Sequence, residues 1–263
     1  MPTMISLDEV LRKLSLAPLL LGEVVAEVLT NLRASLRKLE LGKALNAPII
    51  GDHSVRRLVA LLESNNTLMD LNLTGTEGCK LISAEGIGRI TTALTQNTTL
   101  TSLSLGFNMC GRHGCYMVAN ALCCNASLSE LEMGNNKIRD DGATLLAESL
   151  RTNTTLTKID LRGNELYSAT ASRFGEVLMK RPPPPGGSLT LLGISLCQCA
   201  KQLDLPMQAS QWSNSKILEA IWEAQRLRRF AFATALHPRL GAQSAAHGLE
   251  DEMLRMVLSY PHH

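Results

Sequence analysis

Asn153-Thr154-Thr155-Leu156-Thr157-Lys158-Ile159-Asp160-Leu161-Arg162-Gly163-Asn164 carries the pattern that decides the fold. Leu156, Ile159 and Leu161 stand at Leu-x-x-Leu-x-Leu spacing. The spacing recurs at Leu36/Leu39/Leu41, Leu68/Leu71/Leu73, Leu100/Leu103/Leu105 and Leu128/Leu131/Met133. The first leucines follow one another by 32, 32, 28 and 28 residues, and a degenerate copy, read as Leu189/Leu192/Ile194, comes 33 residues later. Between copies lie Val55/Leu58/Val59/Leu62, Ile87/Ile90/Thr91/Leu94, Cys115/Val118/Ala119/Leu122, Ala143/Leu146/Ala147/Leu150 and Ala171/Phe174/Gly175/Leu178. Their i, i+3, i+4, i+7 spacing defines one buried stripe of a helix. The step from the last helical leucine to the next strand leucine is six residues at 62 to 68, 94 to 100, 122 to 128 and 150 to 156.

A unit of strand, turn and helix this short cannot bury its own apolar face, so the units must stack. Stacking predicts an α/β solenoid with a short parallel sheet on the concave face and the wider helices outside. Asn108, Asn136 and Asn164 fall in the turn after the strand, where an amide can satisfy backbone groups that the turning chain leaves unpaired. Thr76 and Ala44 hold that place in the first two units.

The run 153–164, together with Ile138-Arg139-Asp140-Asp141-Gly142-Ala143, resembles the ribonuclease-inhibitor type of leucine-rich repeat, the class shared by NOD-like receptors and Ran GTPase-activating proteins. The resemblance covers roughly residues 34 to 196. It implies a leucine-rich-repeat solenoid, and it implies protein binding more than any one partner.

Around the repeats the sequence predicts three parts: a helical N-terminal cap over 1–34, the solenoid over 35–196 and a helical C-terminal module over 197–263. Ser6-Leu7-Asp8-Glu9 matches a capping box opening the first cap. Arg181 to Gly187, with four prolines, reads as a stiff surface insertion before the last strand. Residues 215 to 236 read as an amphipathic helix whose Ile217 and Ile221 cover the open end of the stack.

A net charge of +2 gives no steering toward nucleic acid, and Arg226, Arg228 and Arg229 stand beside Glu219 and Glu223 on one helical pattern. Seven cysteines cannot pair completely, which points to a reducing, intracellular compartment, cytoplasmic in the first instance. No run of about 20 apolar residues exists, so membrane insertion is not expected. Asn65, Asn97, Asn125 and Asn153 each open an Asn-x-Ser/Thr sequon. All four stand three residues after the last helical leucine, so they read as left-handed caps ending helices. Cys197-x-Cys199 and Cys123-Cys124 lack the companion ligands of a zinc site. No nucleophile elbow, phosphate loop or dinucleotide fingerprint is present, so neither catalysis nor a cofactor is expected.

Alternation along the strands places Lys38, Glu40, Asp70, Asn72, Ser102, Ser104, Glu130, Glu132, Lys158 and Asp160 on the concave face, with Arg162 beyond. These make a polar surface of five acids and three bases. Five of the nine aromatics, Trp212, Trp222, Phe230, Phe232 and Tyr260, lie beyond residue 211. Trp212 and Trp222 are therefore candidate partner contacts as well. The reading is a non-enzymatic scaffold or accessory subunit that binds protein within a hetero-complex. Residues 249–260 resemble the first helix of an F-box, implying a ubiquitin-ligase adapter as one alternative. The likeness to Ran GTPase-activating repeats implies a small-GTPase regulator as another.

Overall fold

The computed structural model describes residues 3–6, 36–40, 52–75, 82–182, 184, 189–194, 196 and 211–236. Strands β1 (Thr3–Ser6), β2 (Leu36–Glu40), β3 (Asp70–Asn72), β4 (Ser102–Ser104), β5 (Glu130–Glu132), β6 (Lys158–Asp160) and β7 (Thr190–Leu192) form one parallel sheet in chain order. Helices α1 (Asp52–Ser64), α2 (Ala84–Leu94), α3 (Gly111–Cys124), α4 (Arg139–Ser149) and α5 (Ser168–Leu178) pack each against the next, and α6 (Asn214–Leu236) packs against β7. The chain is an α/β repeat solenoid.

Its core is the leucine spacing made solid. Leu39, Leu71, Leu103, Leu131 and Ile159 sit directly opposite one another down the sheet. All are buried against the helical stripes, as are Val55, Ile87, Cys115, Ala143 and Ala171. Each buried leucine or isoleucine contributes roughly 1.5–3 kcal/mol of transfer free energy.

Polar side chains hold the rungs together from inside. Asn97, Asn125 and Asn153 donate from Nδ2 to the carbonyls of Leu62, Leu94 and Leu122, at 2.8, 2.7 and 2.8 Å. Those carbonyls are at the C-terminal end of the preceding helix, where no partner lies within the helix itself. The Oδ1 atoms accept from the backbone N–H of Leu100, Leu128 and Leu156. Sequence reading expected left-handed caps here. Asn125 is instead extended, at φ −83° and ψ 126°, and none of the four asparagines has a positive φ. Bonding across repeats, not backbone handedness, selects asparagine. All four are buried, so the sequon spacing reflects packing and leaves no room for a glycan on the folded chain.

Asn108, Asn136 and Asn164 make a second ladder beyond the C-terminal ends of the strands. Their Nδ2 atoms donate to Leu73, Leu105 and Met133 of the preceding repeat, at 3.0, 2.9 and 2.8 Å. A third, of hydroxyls, runs Thr101 to Met69, Ser129 to Thr101 and Thr157 to Ser129, each donating to a carbonyl at 3.0 Å.

Three expectations are corrected. Residues 3–6 of the expected helical N-terminal cap form strand β1 instead, with Ser6 opposite Glu40, and β1 covers the edge that β2 would otherwise expose. The rest of the expected N-terminal cap, residues 7–34, lies outside the described residues. In the last repeat Leu191, not Leu192, pairs with Ile159, while Leu192 pairs with Asp160. Gly193, at φ +81°, absorbs the extra residue, and a side chain there would meet the Arg162 backbone nitrogen at 2.5 Å. Consecutive leucines made the two registers indistinguishable by spacing.

Arg181 is the third correction. It is 1% exposed and is no part of a surface insertion. It stands three residues after Leu178, as Asn153 stands after Leu150, and does the asparagine's work. Nε donates to Asn153 O and Nη2 to Leu156 O, both at 2.9 Å. Nη1 has no acceptor, and burial pulls the guanidinium down to about 10. Arg181→Lys is expected to lose about 2 kcal/mol of unfolding free energy in urea titration, because one ammonium cannot reproduce the fork. A change under about 0.5 kcal/mol, within the range of ordinary surface substitutions, would show the fork to be dispensable.

The last rung of the asparagine ladder comes from outside the repeat. Asn214, the first residue of α6, donates to Leu191 O and Ile194 O at 3.1 and 2.6 Å and accepts from Leu196 N at 2.9 Å. Ile217, Leu218 and Ile221 of α6 are buried in the common core.

Candidate protein-binding surface

The parallel register aligns the outward residues in rows: Lys38, Asp70, Ser102, Glu130 and Lys158 in one, Glu40, Asn72, Ser104, Glu132 and Asp160 in the next. Opposite charges in these rows pair within the face. Lys38 Nζ lies 3.0 Å from both Glu40 Oε1 and Asp70 Oδ2, and these two carboxylates raise its pKa. Lys158 Nζ lies 3.1 Å from Glu130 Oε2.

Asp160 is 5% exposed and holds Arg162 in two ways. It accepts from the Arg162 backbone N–H at 3.0 Å and from the guanidinium Nε and Nη2 at 3.0 and 2.5 Å. Burial opposes the charge on Asp160, but the Arg162 side chain and backbone outweigh it and hold the carboxyl below its ordinary value. Asn72 makes the matching turn, accepting from Thr74 N at 2.9 Å. Asp160 and Asn72 thus serve the architecture as well as the face.

Where the short Ser102 and Ser104 adjoin the long side chains of β5 and β6, the face sinks into a cleft of about 200 Å³, lined by Glu130, Glu132, Lys158, Asp160, Arg162 and Leu192. The register correction matters here, since it brings Leu192 to the charged face as an apolar element that spacing had assigned to the core.

Trp212 and Trp222, offered by the sequence as partner contacts, are half-buried and pack against the core. Lys216 Nζ lies 4.5 Å from the Trp212 ring centre. Gln225 donates from Nε2 to Leu178 O and Met179 O, so this face of α6 closes the end of α5. Arg226 is exposed and paired with Glu223. The other tail residues singled out, Phe230 and Phe232 side chains, Tyr260 and the segment 249–260, lie outside the described residues, as do Cys197 and Cys199. Cys123 and Cys124 are exposed, and no group of metal-ligating side chains forms among the described residues.

The family profile described as "Leucine Rich repeat" matches residues 96–108, 124–147 and 152–166. These stretches carry both asparagine ladders and strands β4, β5 and β6. The solenoid is built of leucine-rich repeats. Among solved structures this leucine-rich-repeat protein is similar to one described as leiomodin-1 actin-binding site 2, at 17% identity and a TM-score of 0.49 over 68% of this chain and 95% of that one. It is also similar to a tropomodulin C-terminal domain from Caenorhabditis elegans, at 13% identity and a TM-score of 0.49 over 60% and 92%. The comparison with curated proteins found no significant match. Among the described residues no helix is long and apolar enough to cross a membrane.

Proposed function

We propose that this leucine-rich-repeat protein is a non-enzymatic binding subunit of an intracellular hetero-complex and that it engages its protein partner through the concave sheet. The observation that carries the reading is the pre-paired array itself. Lys38, Lys158 and Arg162 are held on neighbouring carboxylates at 2.5–3.1 Å before any partner arrives. Side chains ordered in advance lose little entropy on binding, which favours affinity at a modest interface. Trp212 and Trp222 pack against the core, while the sheet carries a polar cleft lined by charged side chains.

The test is capture from native lysate with the full chain, compared with Ser102→Arg/Glu130→Lys and with Lys216→Glu/Glu219→Lys on α6. All four sites are at least partly exposed, so stability should change by less than about 1 kcal/mol. Recovery of the partner should fall tenfold or more with the sheet variant and hold with the α6 variant. Loss with the α6 variant alone would move the contact to the C-terminal helix. Clean recovery of a lone chain, or turnover of a small molecule by it, would overturn the assigned role.

A further inference from the structure

We infer that Cys110 and Cys115, which meet in the core at the start of α3, are a dithiol that oxidised glutathione converts to an intramolecular disulfide, and that this bond loosens one rung of an amide ladder.

Both cysteines occupy places that other repeats fill with aliphatic side chains. Ile82 and Ile87, Ile138 and Ala143, and Leu166 and Ala171 stand at the same five-residue separation, the first of each pair just before a helix and the second inside it. At 110 and 115 both are thiols. They are free, 1% and 0% exposed, and their Sγ atoms lie 3.8 Å apart. The sulfurs of a disulfide are about 2.05 Å apart, so these two must close by about 1.8 Å. Nothing lies within 4 Å of where a side chain on Gly111 would begin, so the chain joining the two cysteines has room to shift.

That shift reaches the ladder. The Cys110 N–H donates to Asn136 Oδ1 at 3.2 Å, the longest of the four bonds this amide side chain makes. Drawing Cys110 toward Cys115 draws its N–H away from that acceptor. In the folded chain the contact with Cys115, and then burial, push the Cys110 thiol up, which withholds the thiolate that exchange requires. The pair therefore reacts when the start of α3 opens, and the bond records a loosened repeat. One cysteine thiolate attacks the glutathione disulfide, giving a mixed disulfide and one glutathione thiolate, which takes a proton. The second cysteine thiolate displaces the other glutathione. Two cysteine thiols and one glutathione disulfide thus become one protein disulfide and two glutathione thiols, with two electrons passing to glutathione.

The test holds the folded full chain in oxidised glutathione, blocks remaining thiols and digests with trypsin. Arg112 lies between the cysteines, so cleavage leaves peptide 90–112 joined to 113–137 through a disulfide alone. The joined pair should form, with fragmentation placing the bond at Cys115. It should be absent from Cys115→Ala, which installs the residue found at Ala143 and Ala171, and from Cys110→Val. Hydrogen exchange at the Cys110 amide should be at least about tenfold faster in the oxidised chain, with the amides of β3 unchanged. Cys110 and Cys115 remaining free while the exposed Cys123 carries glutathione overturns the inference, as does a bond from Cys110 to Cys123 or Cys124. A Cys110–Cys115 bond with unchanged exchange at Cys110 overturns its link to the ladder.

Discussion

Asn136→Ala should lower the unfolding free energy by about 3–4 kcal/mol, measured by urea titration. Asn136 is fully buried and its side chain makes four hydrogen bonds. It donates to Leu105 O, Met133 O and Gly134 O at 2.9, 3.1 and 3.1 Å and accepts from Cys110 N at 3.2 Å. Alanine removes four hydrogen bonds, worth about 1 kcal/mol each, and strands the Cys110 N–H, at a cost of about 1–3 kcal/mol, while Leu105 O, Met133 O and Gly134 O keep Asn108 Nδ2, Asn164 Nδ2 and Phe107 N as donors. The estimate lies below the sum because the turn relaxes. Asn136→Asp should be at least as damaging, because it removes the donor and turns a carboxylate toward three carbonyls. A loss under about 1 kcal/mol for alanine, that of a typical single hydrogen bond, would mean that the turn admits water and the ladder is not structural.

Phe174→Ala should cost about 4 kcal/mol and Phe174→Leu about 1–1.5 kcal/mol. Phe174 is the aromatic among the fully buried side chains, at the place held by Leu58, Ile90, Val118 and Leu146 in the preceding helices. It belongs to the same buried core as Ile217, Leu218 and Ile221 of α6. Alanine leaves a cavity there that the flanking backbone cannot close. Leucine restores most of the volume. Because repeat arrays lose cooperativity when one interface weakens, far-ultraviolet circular dichroism should be followed beside tryptophan fluorescence, which reports on Trp212 and Trp222. The two transitions should separate in Phe174→Ala, with fluorescence changing first. Coincident transitions with a loss below about 2 kcal/mol, less than ordinary core truncations, would show that the ring does not couple the last repeat to α6.

The repeat was legible in the sequence because a strand of three residues has one inward position. Leu71, Leu103, Leu131 and Ile159 have no alternative register once the helical stripe is placed. The last repeat was not, because Leu191 and Leu192 both satisfy an inward leucine and only pairing with Ile159 decides between them. The same limit hid Asn214, which serves the ladder from beyond a stretch that no spacing spans, and Arg181, which does an asparagine's work with different chemistry. Strand β1 escaped notice because four residues carry no period, and the need it meets is an unpaired edge. On the candidate surface the rows of outward side chains were readable from alternation alone. Their pairing was not, since whether Lys158 turns to Glu130 or to a partner depends on distances across strands.

The two amide ladders also have a direction. Asn97, Asn125 and Asn153, like Asn108, Asn136 and Asn164, make their inter-repeat bonds to the repeat synthesised before them. A chain leaving the ribosome therefore finds each new amide facing acceptors already laid down, and the molecule can assemble in the order in which it is made. Construction ends when the first residue of the closing helix, Asn214, takes the final place.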